Sequence, residues 1–269
     1  MADRLLADVG TLLRETAADV VVPMFRRLDD SDIAEKAPGE LVTVADRRAE
    51  EVISARLREL LPGSVVVGEE AVAEDPTLLE HLRGAGDVWL VDPIDGTSNF
   101  AAGRRPFALM VALQRDGVPV ASWVYDPLDG TLASCRAGAG TRLDGTPVRT
   151  AASTPEVGAL RGTAMTRFLP PDARRSAEAG GARIGELLPG QHCAGREYLD
   201  LLTGTQHFVL FWRTLPWDHA PGTLLVREAG GVARRFDGTD YHPADDGRGL
   251  LVAASEEIWD EVRAALLDD

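Results

Sequence analysis

A chain of 269 residues, 45 % hydrophobic and 26 % charged, has the length and composition of an ordinary globular protein with a sizeable core. Its net charge of −15 argues against a phosphate-neutralising surface for nucleic acid and against docking on anionic lipid, so a small anionic ligand would need local positive charge, most simply from a divalent cation. Cys135 and Cys193 form no zinc-type or CxxC spacing, no stretch is long enough to cross a membrane, and the N-terminal residues lack a signal peptide's unbroken apolar run, so a cytoplasmic protein with reduced thiols is expected.

In chain order, Leu5, Leu6, Val9, Leu12, Leu13, Val20 and Val21 recur mostly at helical spacing and predict an amphipathic first helix. Residues 29–40, rich in charge and ending at Pro38-Gly39, read as a loop. Residues 44–61 predict a second helix, with Ala49, Val52, Ile53, Leu57 and Leu60 on its apolar face and Pro62-Gly63 as its stop. Residues 64–67 and 88–91 predict short buried strands. The first stops at Gly68-Glu69-Glu70; the second runs into Asp92-Pro93-Ile94-Asp95-Gly96-Thr97.

Residues 107–114, 118–125 and 131–136 predict a β-meander, with turn signals at Asp116-Gly117, Asp129-Gly130 and Asp144-Gly145. Residues 151–190 have weak periodicity, and a boundary between an N-terminal half (1–150) and a C-terminal half (151–269) is placed there. A helix is expected over 218–228, closed by Gly230-Gly231, and a last one after Ser255 as N-cap, with Ile258, Val262 and Leu266 inward. Helices and strands mixed in this way predict a layered α/β protein.

The chemistry concentrates on acids. Asp92 and Asp95 end an apolar strand, and two carboxylates this close repel unless a cation or proton lies between them. Hard oxygen ligands suit Mg²⁺ or Mn²⁺. Gly96 lets a ligand approach the main chain, although Asp-Pro-Gly composition is also that of a plain turn. Glu69 again follows a strand, where ligands gather in α/β sheets, but an exposed acidic loop has the same composition. Asp46 stands where it could take a proton from a water or hydroxyl, and equally where it completes a capping box with Thr43. Asp218 falls in a first helical turn, and His219 beside it has no second histidine at zinc spacing and reads as structural.

Together, DPIDGTSNF preceded by GEE and followed by WDHAPG and EAGG resembles the inositol monophosphatase family of lithium-sensitive, Mg²⁺-dependent phosphatases, whose wider group includes fructose-1,6-bisphosphatases and bisphosphate nucleotidases. The resemblance runs from LVTVAD to VREAGG. It implies an αβαβα sandwich and hydrolysis of a small phosphate ester by metal-activated water. By this resemblance Glu69, Asp92 and the carbonyl of Ile94 hold one Mg²⁺, and Asp92, Asp95 and Asp218 hold a second; family members use a third, looser one. Thr97, with Asp46 behind it and Glu69 nearby, is the water-activating position. Gly96, Thr97, Asp95, Ala194, Asp218 and Lys36 are the implied contacts to the ester. A homodimer is implied as well.

One position departs. Phe211 stands where inositol-type members carry a hydroxyl-binding glutamate. An inositol phosphate or related polyol phosphate is the leading expectation for the substrate. A nucleotide or another metabolite phosphate, such as fructose-1,6-bisphosphate or histidinol phosphate, is the second, with Arg196 or Arg213 as a polar contact and Phe211 or Trp212 either stacking on a ring or packing in the core. A non-catalytic phosphate-binding regulator is the reading of another class.

Overall fold

The apolar spacing of the N-terminal segment forms α1 (Ala2–Thr16), which continues through a π-helical turn (Ala17–Val21) into α2 (Val22–Met24), in a computed structural model that describes residues 2–150 and 156–267. Pro23 supplies the reason for the widened turn, since it has no N–H to give to the carbonyl four residues back. Val9, Leu12, Leu13, Ala17 and Val21 are buried along this rod. The segment expected to be a loop is instead largely a hairpin, β1 (Ile33–Ala37) paired antiparallel with β2 (Glu40–Thr43). Pro38-Gly39 is its turn rather than its end, with Gly39 at φ 80°.

Helix α3 (Val44–Leu60) follows, then β3 (Val65–Gly68). Glu69 does not lie in a loop; it opens a short helix, α4 (Glu69–Glu74). Strand β4 (Asp87–Asp95) absorbs the whole Asp-Pro-Ile-Asp stretch, with a register shift between Asp92 and Asp95 where Pro93 cannot donate to the ladder. Gly96 at φ 90° then turns the chain into α5 (Thr97–Ala101). The meander is longer than expected: β5 (Ala108–Arg115), β6 (Val118–Asp126), β7 (Thr131–Arg136), β8 (Thr141–Leu143) and β9 (Thr146–Val148). Asp116-Gly117 and Asp144-Gly145 make its turns with positive φ at both residues, as two-residue hairpins demand.

The proposed boundary at 150/151 abuts residues 151–155, which lie outside the described residues. After them come β10 (Arg161–Ala164), α6 (Pro171–Gly181), β11 (Glu186–Leu188), α7 (Ala194–Leu202), β12 (Phe208–Phe211), α8 (Pro216–Glu228), β13 (Val232–Arg234), β14 (Leu250–Ala253) and α9 (Glu256–Leu266). One sheet has the order β3-β4-β5-β6-β7-β8-β9, with β3 parallel to β4 and the rest antiparallel; the other has the order β11-β10-β12-β14-β13.

The layers are α1 and α3, the first sheet, α7 and α8, the second sheet, and α6 with α9. This is the expected αβαβα sandwich. Alternation along β5 makes it possible: Leu109, Val111 and Leu113 pack with α1 and α3, while Ala108 and Met110 face the central helices. No helix among the described residues is long and apolar enough to cross a membrane.

The central helices cross closely at Gly222, where an added Cβ would lie 2.1–2.3 Å from ring carbons of the buried Tyr198. Alanine gains about 1 kcal/mol over glycine in a helix interior, but forcing a methyl into packed core costs about 1–3 kcal/mol. The clash here is with a ring that has no room to move. Gly222→Ala is therefore expected to lower the urea midpoint, and an unchanged or raised midpoint would show that α7 and α8 can separate cheaply.

Candidate active site

The parallel pairing of β3 with β4 sets Gly68 opposite Val91, so Glu69 and Asp92 leave neighbouring strands at the same level. Asp218 arrives from the first turn of α8. Carboxylate oxygens of Glu69, Asp92 and Asp218 all lie within 4.8 Å of one another, and this trio could hold a metal ion. Asp92 is 2 % exposed, and its Oδ1 is buried with no hydrogen-bond partner. A buried carboxylate oxygen left this way is costly unless a cation meets it. Burial, then Glu69, Asp95, Asp218 and Asp46, raise the Asp92 carboxyl well above the usual carboxylate range. Asp218 is also raised, by burial and then by Glu69 and Asp95, with Arg213 and Lys36 opposing. The donor set is all oxygen and strained by like charge, which fits a hard divalent cation.

Asp95 stands slightly apart. Its Oδ2 accepts the Gly195 amide at 2.6 Å and lies 3.1 Å from the Cys193 thiol, so it is anchored to the start of α7. Burial still raises its carboxyl, against these hydrogen bonds. Cys193 and Cys135 are free and buried.

Thr97 Oγ1 lies 3.0 Å from Asp46 Oδ1 and 2.9 Å from the carbonyl of Ile94. Ile94, implied as a metal ligand, thus has its oxygen turned toward Thr97. The two carboxylate oxygens of Asp46 face different ways. Its Oδ2 accepts the Thr43 amide at 2.8 Å in a true capping box, while Oδ1 faces Thr97. Burial pushes Asp46 up to about 7, with the Thr43 hydrogen bonds opposing. Lys36, on β1, reaches Glu69 at 2.6 Å and Glu70 at 2.7 Å. Burial pulls its ammonium down, but these two acids outweigh it and hold the pKa above the usual lysine range.

Lys36, Glu69, Asp92, Ile94, Asp95, Gly96, Thr97, Ala194 and Asp218 line one cleft; Asp46 lies behind Thr97. Gly96 has no space to spare, since a Cβ would lie 3.1 Å from the Pro106 carbonyl and 3.2 Å from the His192 carbonyl and Cys193 Cβ. Of the two arginines, Arg213 borders the cleft and pairs with Glu40, whereas Arg196 is engaged by Asp126, Asp129 and Asp200. Phe211 is 4 % exposed and packs on His219 and Tyr198, with ring centroids 4.6 and 5.6 Å away. His219 is structural here: one ring nitrogen meets Tyr198 Oη at 2.9 Å, the other the Arg213 carbonyl at 2.9 Å, and burial pushes it down to about 3.

Glu50 went unnoticed in the sequence. It accepts the amides of Glu70 and Ala71 at 2.8 Å each and so seats the helix that presents Glu69. Its one signal was a charge lying on the inward stripe of α3 with Asp46, Ile53 and Leu57. Met165 and Phe168, which also line the cleft, come from the segment of weak periodicity and carried no signal.

The inositol monophosphatase family model matches residues 4–269. An inositol-1-monophosphatase of Mesorhizobium japonicum is 32 % identical over 245 residues, covering 87 % of this chain and 85 % of that one. A Nus factor SuhB of Escherichia coli K12 is 30 % identical over 274 residues, covering 98 % and 96 %. Among solved structures, the staphylococcal SaIMPase-II shares the fold: its inositol monophosphate-bound form has TM-score 0.76 at 21 % identity over 98 % of this chain and 94 % of that one, and its 2'AMP-bound form has TM-score 0.80 at 23 % over 100 % and 95 %. A match over nearly the whole chain, together with the cleft geometry, makes this protein a member of the inositol monophosphatase family.

Proposed function

We propose that this chain is a Mg²⁺-dependent phosphatase that hydrolyses a small phosphate monoester. The observation that carries the reading is the unpartnered, buried Oδ1 of Asp92 within a trio completed by Glu69 and Asp218, next to the Thr97–Asp46 pair. On this reading Glu69, Asp92, Asp95, Asp218 and the Ile94 carbonyl hold two or three Mg²⁺, with Mn²⁺ as a substitute. Bound there, the cation neutralises phosphoryl oxygens and acidifies water.

The chain's own groups do the rest. Thr97 passes a proton from the attacking water to Asp46, whose Oδ1 accepts from the Thr97 hydroxyl, and Glu69 stands by as a second acceptor. The amides of Gly96 and Thr97 and the ammonium of Lys36 hold the phosphoryl group, and Asp95, Ala194 and Asp218 face the ester. Residues 1–150 and 151–269 act as one catalytic unit, because Asp218 belongs to the second half and its partners to the first.

The inositol or polyol phosphate implied by the resemblance, and the nucleotide, are the two alcohol classes supported by relatives: inositol-1-monophosphatase is a relative's name, and SaIMPase-II was solved with both kinds of ligand. The second reading, a non-catalytic regulator, is favoured by relatives that carry the name Nus factor. Purified protein is expected to release phosphate from 4-nitrophenyl phosphate with Mg²⁺ and to stop on chelation. Thr97→Val is expected to lower kcat about a hundredfold with little change in KM. No release with any divalent cation, or release untouched by chelator, overturns the reading. Light scattering tests the implied homodimer, and Li⁺ titration the implied inhibition.

A further inference from the structure

The cleft has two chemically different sides. One carries Lys36 and the acids. The other is built from Met165, Phe168, Phe211 and Trp212, which end or follow the paired strands β10 and β12. Phe168 stands 53 % exposed, and Met165 and Trp212 are half-buried. Of the polar side chains that border this apolar side, His219 is occupied at both ring nitrogens, and Arg213 spends one of its five N–H donors on Glu40. His219 is held between Tyr198 Oη and the Arg213 carbonyl. Since Nε2–H must donate to the carbonyl, Nδ1 is the acceptor for the tyrosine, and neither ring nitrogen is left for a ligand.

An ester seated with its phosphoryl group toward Asp92 and Thr97 places its alcohol portion against this surface. Ring hydroxyls pressed there would give up hydrogen bonds to water and find thioether and aromatic carbon instead. A flat aromatic ring would gain buried area and aromatic contacts at the same place. We propose that this site selects phosphate monoesters whose alcohol carries a flat aromatic ring over polyol phosphates, an inference that rests on the phosphatase reading above. The ring is either a nucleobase or a plain aromatic group, and the two share this chemistry.

The test compares kcat/KM, with Mg²⁺, for benzyl phosphate, adenosine 2'-monophosphate, inositol 1-phosphate and glycerol 2-phosphate. All four leave as alkoxides, so the comparison reads the pocket rather than the leaving group. Benzyl phosphate and adenosine 2'-monophosphate are expected to exceed both polyol esters by about tenfold or more, the scale on which hydrophobic pockets discriminate. A lead of the nucleotide over benzyl phosphate identifies a nucleobase; equal values identify a plain aromatic ring. Phe168→Ser, at an exposed position, is expected to shrink the ratio of benzyl to glycerol ester several-fold while keeping Tm, and Trp212→Ala to shrink it likewise with a lower Tm, because Trp212 also packs on Phe236. A polyol ester matched or preferred by the unaltered protein, or a ratio untouched in both variants, overturns the inference and leaves the phosphatase standing. No release from any ester overturns both.

Discussion

Asp92→Asn is expected to lower kcat/KM for phosphate release at least about a hundredfold while raising Tm in chelator, two effects of opposite sign from one atom's replacement. Asp92 is buried at the centre of Glu69, Asp95, Asp218 and Asp46, each of which disfavours its charge. Asparagine has the same shape and removes the repulsion. Its amide can also donate to a neighbouring carboxylate, so the metal-free fold gains. The same change takes away the negative charge at the buried, unpartnered Oδ1, and with it a cation ligand. The rise in Tm that Mg²⁺ gives the unaltered protein should therefore vanish. Phosphate release at the unaltered rate would sink the assignment of the cluster as a metal site. Lost activity with a lowered chelator Tm would mean that Asp92 is needed for packing instead.

Raising the pH from about 4 to about 7 in chelator should steadily lower the stability of this protein, and Mg²⁺ should cancel much of that slope. Asp46 is pushed from its ordinary 3.8 up to about 7, and Glu50 from 4.5 up to about 7, by burial first in both cases. A carboxyl whose pKa is raised by folding keeps its proton in the native state while the unfolded chain loses it. Below the unfolded pKa both states are protonated and nothing is lost. Between the two pKa values stability falls as pH rises, and above about 7 the full cost is present. The loss is on the order of 4 kcal/mol for Asp46 and on the order of 3 kcal/mol for Glu50, and Asp92, Asp95 and Asp218 act in the same direction. A divalent cation reverses the sign of the field these acids feel. Tm measured from pH 4.5 to 8, with chelator and with Mg²⁺, checks both halves. A flat or rising curve in chelator would show that these acids are ionised at little cost, and that the fold itself solvates them.

Much of the site was legible because its parts double as local signals. The Thr43–Asp46 capping box, the apolar strand leading into Asp92, and the positive-φ glycine at 96 are each dictated by neighbours within a few residues. The β1–β2 hairpin was not legible: its strands are short and charged, and their pairing rather than their composition holds them extended. Glu50 was missed because a glutamate on a helix is ordinarily solvated. Only the docking of α4 against α3 turns it into an acceptor for two amides, at a place where Gly68 leaves no room for a side chain. The αβαβα order followed from family resemblance and not from periodicity, which reveals that a face is apolar but not which other face will cover it.

The chemical identity of the acidic cluster was therefore written in the chain: which carboxylates, at which strand ends and first helical turns, and in which order. Their convergence belongs to the three-dimensional arrangement. Glu69 meets Asp92 through the register of two parallel strands, and Asp218 joins them because α8 packs between the two sheets. The other side of the cleft depends on packing still more. Met165 and Phe168 come from a stretch of weak periodicity, and Phe211 becomes part of a wall only when His219 and Tyr198 close behind it. The reason is physical. Caps, turns and strand ends act over a few residues and leave a mark in sequence, whereas an apolar surface is defined by whatever distant side chains exclude water from it.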